Sequence, residues 1–258
     1  MTRVPDCIAE GEGEVVLFLH GVGGGAASWR PQIARFSKDY CAAAWNMPGY
    51  GKSILTGGMS FPALAASLAA LLDARGWDRV HLVGHSMGGM VAQEFAVTRQ
   101  DRLRSLTLSA TSPAFGRPDG DFQKKFVEAR LAPLTNGATM ADLGRELVET
   151  MMSAGADPAG RRLACECMAS VPAETYRAAV ECIVTFERRA NLPDIRVPTL
   201  VLAGETDTNA PAPMMARMAE KIPGSRYVCL PGLGHLANLE DPAAFDAVLG
   251  EFLAGVRN

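Results

Sequence analysis

Residues 80–96 of the 258-residue chain read VHLVGHSMGGMVAQEFA. The first part, 80–84, is short, apolar and β-branched, which is typical of a strand buried in a sheet. From residue 88 to residue 98 the apolar positions follow the spacing of a helix. The stretch therefore predicts a buried strand, a sharp turn at Ser86 and a helix in direct succession.

The same alternation of short apolar runs and longer helical patterns continues along the chain. It is the signature of a parallel sheet that is covered by helices on both faces. We therefore expect an α/β fold, a doubly wound and mostly parallel sheet whose functional site lies at the carboxyl ends of the strands. The predicted strands are 15–20, 41–45, 80–84, 103–110, 199–204 and 226–230, and the helices predicted between them are 29–36, 62–75, 88–98 and 213–221.

One long segment breaks the alternation. Between residues 113 and 193 the chain has no strand-like run, and about 80 residues exceed a normal crossover between two strands. We expect a helical cap that is inserted into the core and folds over its functional edge. The core then comprises residues 1–112 and 194–258, on either side of the cap at 113–193. The helix-like segments of the cap are 121–131, 140–152, 159–168 and 173–189.

Composition and charge exclude several classes of protein. With 48% hydrophobic residues the chain is not disordered, and with 25 basic against 28 acidic residues it has no field that attracts nucleic acid. The N-terminus lacks the basic start and apolar run of a signal peptide. The most apolar window, 61–72, is shorter than the roughly 18 residues of a membrane span and is predicted to be a core-facing helix. A cytoplasmic protein with no membrane partner is expected.

The six cysteines give no indication of a metal site. Only Cys165 and Cys167 are close in sequence, and no paired Cys or His spacing suggests zinc. We expect all six to be small buried side chains in a reducing compartment.

Two glycine-rich stretches resemble nucleotide-binding loops. Residues 21–26, GVGGGA, match a dinucleotide pattern, but the acidic residue expected at the end of the next strand is replaced by Asn46. Residues 51–53, GKS, resemble the end of a phosphate-binding loop, whose first glycine would fall on the same Asn46. Neither stretch supports a nucleotide cofactor.

A third glycine motif carries chemistry. Residues 84–88, GHSMG, match G-x-S-x-G at a strand-to-helix turn, which is where a nucleophilic serine is presented. The flanking glycines are needed there because side chains would collide with the neighbouring strand and helix. The alternative interpretation is that Ser86 only caps the helix.

A nucleophilic serine needs a base and an acid that orients the base. Of the four histidines, His81 lies in a strand, His85 points away from Ser86 and His20 holds the glycine loop in shape, which leaves His235. Its alternative role is that of a loop histidine bonded to backbone. For the acid we favour Asp207, which follows the strand 199–204, with Glu205 as the second choice. The order Ser86, Asp207, His235 is the order expected of α/β-hydrolases.

Over essentially the whole chain the sequence resembles the α/β-hydrolase family. The matching motifs are HGVGGG at 20–25, NMPGYGKS at 46–53, GHSMGG at 84–89, VPTLVLAGETDTNAP at 197–211 and GLGHLANLED at 232–241. The resemblance implies that the backbone amides of Val22 and Met87 form an oxyanion hole. Many relatives carry Asp where this chain has Asn46, a position that usually shapes a turn.

Within that family the sequence is most similar to 3-oxoadipate enol-lactonases and related aromatic-degradation hydrolases. The resemblance implies hydrolysis of a carboxylic ester or lactone of a small organic acid, with no cofactor and no metal. The alternatives are a meta-cleavage carbon–carbon hydrolase, although no Trp follows His235 closely, an acyltransferase with the same triad, and a silent binding protein. A homo-oligomer stays open.

The cap offers side chains that could contact a substrate. A guanidinium group binds a carboxylate through two parallel hydrogen bonds, and methionines line adaptable pockets. The candidates are Arg117, Arg130, Arg161, Arg162, Arg177, Arg188, Arg189, Met140, Met151, Met152 and Met168.

Overall fold

The computed structural model describes residues 3–116 and 120–256, and its centre is a seven-stranded sheet. The strand order is β1-β3-β2-β4-β5-β6-β7, with β1 antiparallel to β3 and every other pair parallel. The predicted α/β class with a mostly parallel sheet is confirmed. The strands are β1 (Cys7–Glu10), β2 (Val15–Leu19), β3 (Cys41–Trp45), β4 (Val80–His85), β5 (Leu103–Ser109), β6 (Thr199–Gly204) and β7 (Arg226–Leu230).

The central strands are buried on both faces because each face packs against its own hydrophobic cluster. In β2, Val16 and Phe18 join one cluster, whereas Leu17 and Leu19 join the other. This two-sided burial explains why the strands are continuous apolar runs in the sequence rather than alternating ones.

Helices cover both faces of the sheet. Residues of α1 and α10 pack in one cluster, and residues of α2, α3 and α8 pack in the other. The apolar window 61–72 falls in α2, whose inward face is buried, so the prediction of a core-facing helix is confirmed. These core helices are α1 (Arg30–Phe36), α2 (Phe61–Arg75), α3 (Met87–Arg99), α8 (Ala212–Glu220), α9 (Ala237–Glu240) and α10 (Pro242–Val256).

The segment between β5 and β6 consists of helices. They are α4 (Asp121–Thr135), α5 (Met140–Met151), α6 (Pro158–Ser170) and α7 (Ala173–Ile183). Its two ends run side by side, since the Phe115 amide donates to the Phe186 carbonyl at 2.9 Å and the Arg188 amide donates to the Pro113 carbonyl at 2.8 Å. The division into a core and a cap at 113–193 stays a prediction.

Four elements differ from the sequence-based expectation. Strand β1 was not expected because it is a short edge strand with one buried residue, Cys7. Helices α9 and α10 were not expected either. The last cap helix ends at Ile183 rather than at residue 189, because residues 186 and 188 pair with the incoming chain instead. Tertiary pairing there overrides the local helical pattern.

The cysteines and the membrane expectation can be compared with the structure directly. All six cysteines are free, but only Cys7, Cys167 and Cys182 are buried; the other three are half-buried, so the expectation of six buried thiols was wrong for half of them. In the described ranges no helix has both the length and the apolar character to cross a bilayer.

Candidate active site

Ser86 occupies a strained turn between β4 and α3. Its backbone has φ 52° and ψ −120°, on the left-handed side that residues other than glycine rarely adopt. The turn is held from the neighbouring β5 side, because the Ser86 amide donates to the Ser109 carbonyl at 3.0 Å and the Thr111 hydroxyl donates to the Ser86 carbonyl at 2.7 Å. The surrounding structure therefore imposes this conformation.

The glycines on either side of the turn are sterically required. A Cβ atom on Gly84 would lie 2.5 Å from the Gly88 carbonyl oxygen, and one on Gly88 would lie 2.3 Å from the Leu19 carbonyl oxygen. Both contacts are with backbone, which cannot move aside as a flexible side chain would. The predicted requirement for glycine at both positions is confirmed.

The structure brings Ser86, His235 and Asp207 into one hydrogen-bonded row. Nε2 of His235 lies 3.1 Å from Oγ of Ser86, and Nδ1 of His235 lies 2.8 Å from Oδ2 of Asp207. His235 and Asp207 are buried, whereas Ser86 is partly open to the cavity in front of it. The side chain of Ser86 makes no capping bond to α3, so the capping alternative is not supported.

Asp207 is oriented by its own loop. Its Oδ1 atom accepts hydrogen bonds from the amides of Asn209 at 2.7 Å and Ala210 at 3.0 Å, which leaves Oδ2 for His235. Burial by itself raises the pKa of this carboxyl, but the bond and charge of His235 together with the two amides outweigh it and lower the pKa overall. The second choice, Glu205, instead accepts from the Gly232 amide at 2.7 Å.

The other histidines have structural partners. His20 accepts from the Met47 amide through Nε2 at 3.1 Å and donates through Nδ1 to the Gly21 carbonyl at 2.8 Å, so it holds the glycine loop as expected. Burial lowers its pKa to about 4. His81 lies in β4, with Nδ1 2.8 Å from the Ser105 hydroxyl.

His85 is a buried histidine that lines the same cavity as Ser86. Burial, and to a smaller extent the neighbouring His235, lowers its pKa to about 3. Its Nε2 atom lies 2.8 Å from the main-chain carbonyl of His235 and donates to it. Its ring is thus bonded to the loop of His235, while the expected orientation away from Ser86 stays a prediction.

Two backbone amides are available beside Ser86. Within residues 3–116 and 120–256, neither the Val22 amide nor the Met87 amide donates to an acceptor of the chain. The Met87 amide opens α3, so no intrahelical partner exists for it. The main chain of Val22 is held at its carbonyl group, which accepts a hydrogen bond of 2.8 Å from the Tyr50 hydroxyl.

Asn46 shapes the glycine loop that carries Val22. Its Oδ1 accepts from the Ala26 amide at 2.9 Å, and its Nδ2 donates to Oδ2 of Asp6 at 2.8 Å. The expectation that Asn46 shapes a turn is confirmed, and its partner Asp6 comes from the segment before β1.

Comparison with known proteins identifies the family. The sequence model of the alpha/beta hydrolase fold matches residues 14–242. The chain belongs to the α/β-hydrolase fold family. A protein of Variovorax paradoxus that is named carbamate hydrolase RutD is 31% identical over 252 residues, which is 95% of this chain and 93% of the relative.

Solved structures of other α/β hydrolases are similar to this one. A thermophilic esterase from Thermogutta terrifontis has a TM-score of 0.89 at 27% identity, covering 98% of this chain and 94% of its own. An enol-lactonase from Burkholderia xenovorans has a TM-score of 0.85 at 25% identity, covering 96% of each chain. Family and relatives together make this α/β hydrolase an enzyme of the hydrolase class.

A cavity of about 620 Å³ lies in front of Ser86 in this α/β hydrolase. Its lining includes the glycine loop with Val22 and residues of the inserted helical segment. Of the four methionines expected to line an adaptable pocket, Met151 and Met168 do so, whereas Met140 and Met152 are buried in hydrophobic clusters. The apolar residues of the inserted segment in the lining include Phe122, Phe126, Leu147, Val148, Met151, Ala164, Met168, Val180 and Ile183.

Two of the candidate cap arginines line this cavity. Arg189 forms an ion pair with Glu187. Arg130 lies with its guanidinium 5.3 Å from the centre of the Phe126 ring and donates to Oδ1 of Asn209 at 3.2 Å; no carboxylate in the described ranges pairs with it.

The remaining arginine candidates lie elsewhere. Arg161 pairs with Glu149 and Arg188 pairs with Glu94, each at 2.6 Å. Arg162 and Arg177 do not line the cavity. Arg117 lies outside the described residues. Within the described ranges, Arg130 is thus the cavity-lining cation that pairs with no carboxylate.

Among the described residues, no group of three or more His, Cys, Asp or Glu side chains is arranged to hold a metal ion.

Sequence reasoning missed Glu240, a buried carboxylate close to His235. It accepts hydrogen bonds from the backbone of the loop that carries the histidine. The only available signal was an acidic residue at the end of the apolar run that follows His235. An acidic residue at such a place is more often a solvated surface group.

Proposed function

We propose that this α/β hydrolase cleaves a carboxylic ester or lactone of a small organic acid through Ser86, His235 and Asp207. The observation that carries the proposal is the row of hydrogen bonds from Asp207 to His235 and from His235 to Ser86, which opens onto the cavity. A serine hydroxyl becomes a useful nucleophile when a base is bonded to it and an acid orients that base.

In the acylation step, Nε2 of His235 takes the Ser86 proton as Oγ attacks the substrate carbonyl carbon. Negative charge develops on the carbonyl oxygen, where the amides of Val22 and Met87 stabilise it. The imidazolium then gives its proton to the departing alkoxide, and an acyl-enzyme ester on Ser86 remains. Asp207 keeps the Nδ1 proton in place and stabilises the imidazolium throughout.

In the deacylation step, the same groups act on water. His235 removes a proton from a water molecule, which attacks the acyl carbon of the Ser86 ester. The oxyanion again lies between the amides of Val22 and Met87, and its collapse returns the proton from His235 to Ser86 Oγ. The products are the free acid and, from the first step, the alcohol; from a lactone, a single hydroxy or oxo acid results.

The lining of the cavity favours a substrate that is mostly apolar and carries one anionic group. Most cap residues in the lining are apolar, and among the described residues Arg130 is the lining cation that pairs with no carboxylate. A guanidinium in an apolar surrounding binds a carboxylate strongly because water competes less there. The acid part of the substrate is therefore expected to place its second carboxylate at Arg130.

Carbamate hydrolysis is the second candidate, and the observation that favours it is the similarity to proteins named carbamate hydrolase. The cavity argues against the small carbamate ion as substrate, since pockets of several hundred Å³ hold far larger ligands, whereas a carbamate ester of larger size would fit. We therefore rank a larger ester or lactone first.

The test is a comparison of kcat/KM across substrate classes, with Ser86→Ala as the blank. The set comprises 3-oxoadipate enol-lactone, a short p-nitrophenyl ester, a meta-cleavage dienoate and a carbamate, each also with an added alcohol that would reveal acyl transfer. We expect the lactone or ester to exceed about 10⁴ M⁻¹s⁻¹ and to lose all turnover in Ser86→Ala. A preference for carbamate or for the dienoate would contradict the proposal.

A further inference from the structure

Glu240 is a buried carboxylate whose partners are main-chain amides. It ends α9, and only 2% of its surface is exposed. Oε1 accepts from the amides of Gly234 at 3.0 Å and Leu236 at 3.1 Å, and Oε2 accepts from the amides of Gly234 at 2.9 Å and Ser153 at 2.7 Å. A buried carboxylate is stable in such a place because charged acceptors form strong bonds to amide N–H groups.

These amides belong to two different parts of the fold. Gly234 and Leu236 flank His235, whereas Ser153 follows α5 in the inserted segment. Glu240 therefore links the main chain before and after His235 to the inserted helical segment that lines the cavity.

Further backbone bonds run across the same junction. The His235 amide donates to the Met151 carbonyl at 2.8 Å, and the Asp157 amide donates to the Glu240 carbonyl at 2.8 Å. A Cβ atom on Gly234 would lie 2.6 Å from the Met151 carbonyl oxygen, so the two segments are in van der Waals contact. The loop of His235 and residues 151–157 thus form one hydrogen-bonded unit.

We propose that Glu240 is a positioning residue that sets the main chain of His235 against the inserted helices. The imidazole must lie within hydrogen-bond reach of Ser86 on one side and Asp207 on the other, and small displacements of such groups are costly in rate. This inference rests on the proposed role of His235 as the base.

The bridge requires a carboxylate rather than a side chain of the same shape. Glutamine has one acceptor oxygen and one NH₂ donor. If the glutamine oxygen accepts from the Leu236 amide, the glutamine NH₂ group faces the Ser153 amide, and two donors meet. If the oxygen accepts from the Ser153 amide instead, the NH₂ group faces the Leu236 amide. Glu240→Gln therefore breaks the link to the cap or the link to the histidine loop in either orientation.

A second variant breaks the link from the side of the inserted segment. Ser153→Pro deletes the one N–H group that Glu240 accepts from that segment and puts the proline Cδ in its place, so the carboxylate also has to move away. Met152, at φ −108° and ψ 147°, already has the extended backbone that a residue before proline requires. This variant decides the question if Glu240→Gln does not fold.

The matched control is Glu94→Gln. Glu94 is also a buried acid, but it pairs with Arg188 at 2.6 Å and has no bond to the histidine loop. Loss of its charge should lower the melting temperature without displacing His235.

The experiment measures kcat per active site, with sites counted by titration with a fluorophosphonate and a short p-nitrophenyl ester as the substrate. We expect Glu240→Gln to lower kcat on the order of 10²-fold and Ser153→Pro about 10-fold, with KM unchanged. Glu94→Gln should keep its kcat per site. A role in stability alone would reduce the number of active sites and leave kcat per site intact.

Proton NMR of the free enzyme gives an independent readout. The low-field resonance of the N–H shared by His235 Nδ1 and Asp207 should be lost or shifted in Glu240→Gln and kept in Glu94→Gln. If both variants at the bridge keep this resonance and a kcat within about threefold of the parent, the inference is overturned. If instead His235→Ala remains active, the proposed function itself fails, so the two failures are distinguishable.

Discussion

The Nε2 atom of His85 donates a hydrogen bond of 2.8 Å to the main-chain carbonyl oxygen of His235. His85, which directly precedes the candidate nucleophile Ser86, thus holds the main chain of the candidate base His235 by a hydrogen bond. Because burial lowers the pKa of His85 to about 3, the ring stays neutral at the pH at which hydrolases work and keeps this single donor role.

The buried neutral histidines predict a loss of stability in acid. His20 and His85 have pKa values of about 4 and about 3 in the fold, against 6.5 for the free group, so the unfolded chain takes up protons that the native protein does not. Their contribution to the free energy of unfolding is fully present above pH 6.5, and it is lost as the pH falls toward the pKa values in the fold. Burial raises the pKa of Asp246 to about 6, so the contribution of this carboxyl to the free energy of unfolding increases as the pH falls.

The net free energy of unfolding should therefore fall by about 2 to 3 kcal/mol between pH 7 and pH 5. Urea unfolding at the two pH values measures it. In Asp246→Asn the opposing contribution is gone, so the loss should be about 1 kcal/mol larger. A protein that is equally stable at both pH values would refute the assignment of neutral, buried imidazoles.

Asp207 and Glu205 give a matched pair of neighbouring acids. Asp207→Asn should lower kcat by 10³-fold or more, on the order found when the orienting acid of a triad is lost, because the amide no longer fixes the Nδ1 proton. Glu205→Gln should stay within about threefold of the parent, since Glu205 bonds to the Gly232 amide instead. Steady-state kinetics on one ester suffices, and equal losses in both variants would contradict the assignment.

Arg130 is expected to select for an anionic substrate. Arg130→Gln should lower kcat/KM for a carboxylate-bearing ester by about 10²-fold and leave a neutral ester of the same length nearly unchanged, because only the former uses the charge. Arg145→Gln is the control, since Arg145 pairs with Asp142 on the surface. Equal losses for both esters would show that Arg130 only maintains the fold.

Most of the fold and the candidate residues Ser86 and His235 could be predicted from the sequence, because the signals that indicate them are local. The strand, turn and helix around Ser86 lie within one stretch, and the glycines beside it are required by contacts with backbone that any such turn makes. His235 could be reached by elimination because the chain has only four histidines.

What the sequence could not provide depends on pairs that are distant in the chain. Glu240 and Ser153 are 87 positions apart, and Arg130 and Asn209 are 79 positions apart, so no local pattern connects either pair. The edge strand β1 was missed for the same reason, since it exists only because β3 offers it a partner.

Asn46 provides a test of such a distant pair. Its Nδ2 group donates to the Asp6 carboxylate at 2.8 Å, so Asn46→Asp would place two carboxylates in contact. We expect a destabilisation of about 1 to 3 kcal/mol in urea unfolding at pH 7. Adding Asp6→Asn should restore most of it, because an amide then faces the new carboxylate. If Asn46→Asp is as stable as the parent, the hydrogen bond is not significant in solution.

The central claim is that an acyl group passes through Ser86, and the acyl-enzyme itself is the most direct evidence. The protein would be mixed with a p-nitrophenyl ester, quenched in acid within one turnover, digested and analysed by mass spectrometry. The account predicts the acyl mass on the peptide that contains Ser86 and no adduct in Ser86→Ala. An adduct on another residue, or full turnover by Ser86→Ala, would contradict it.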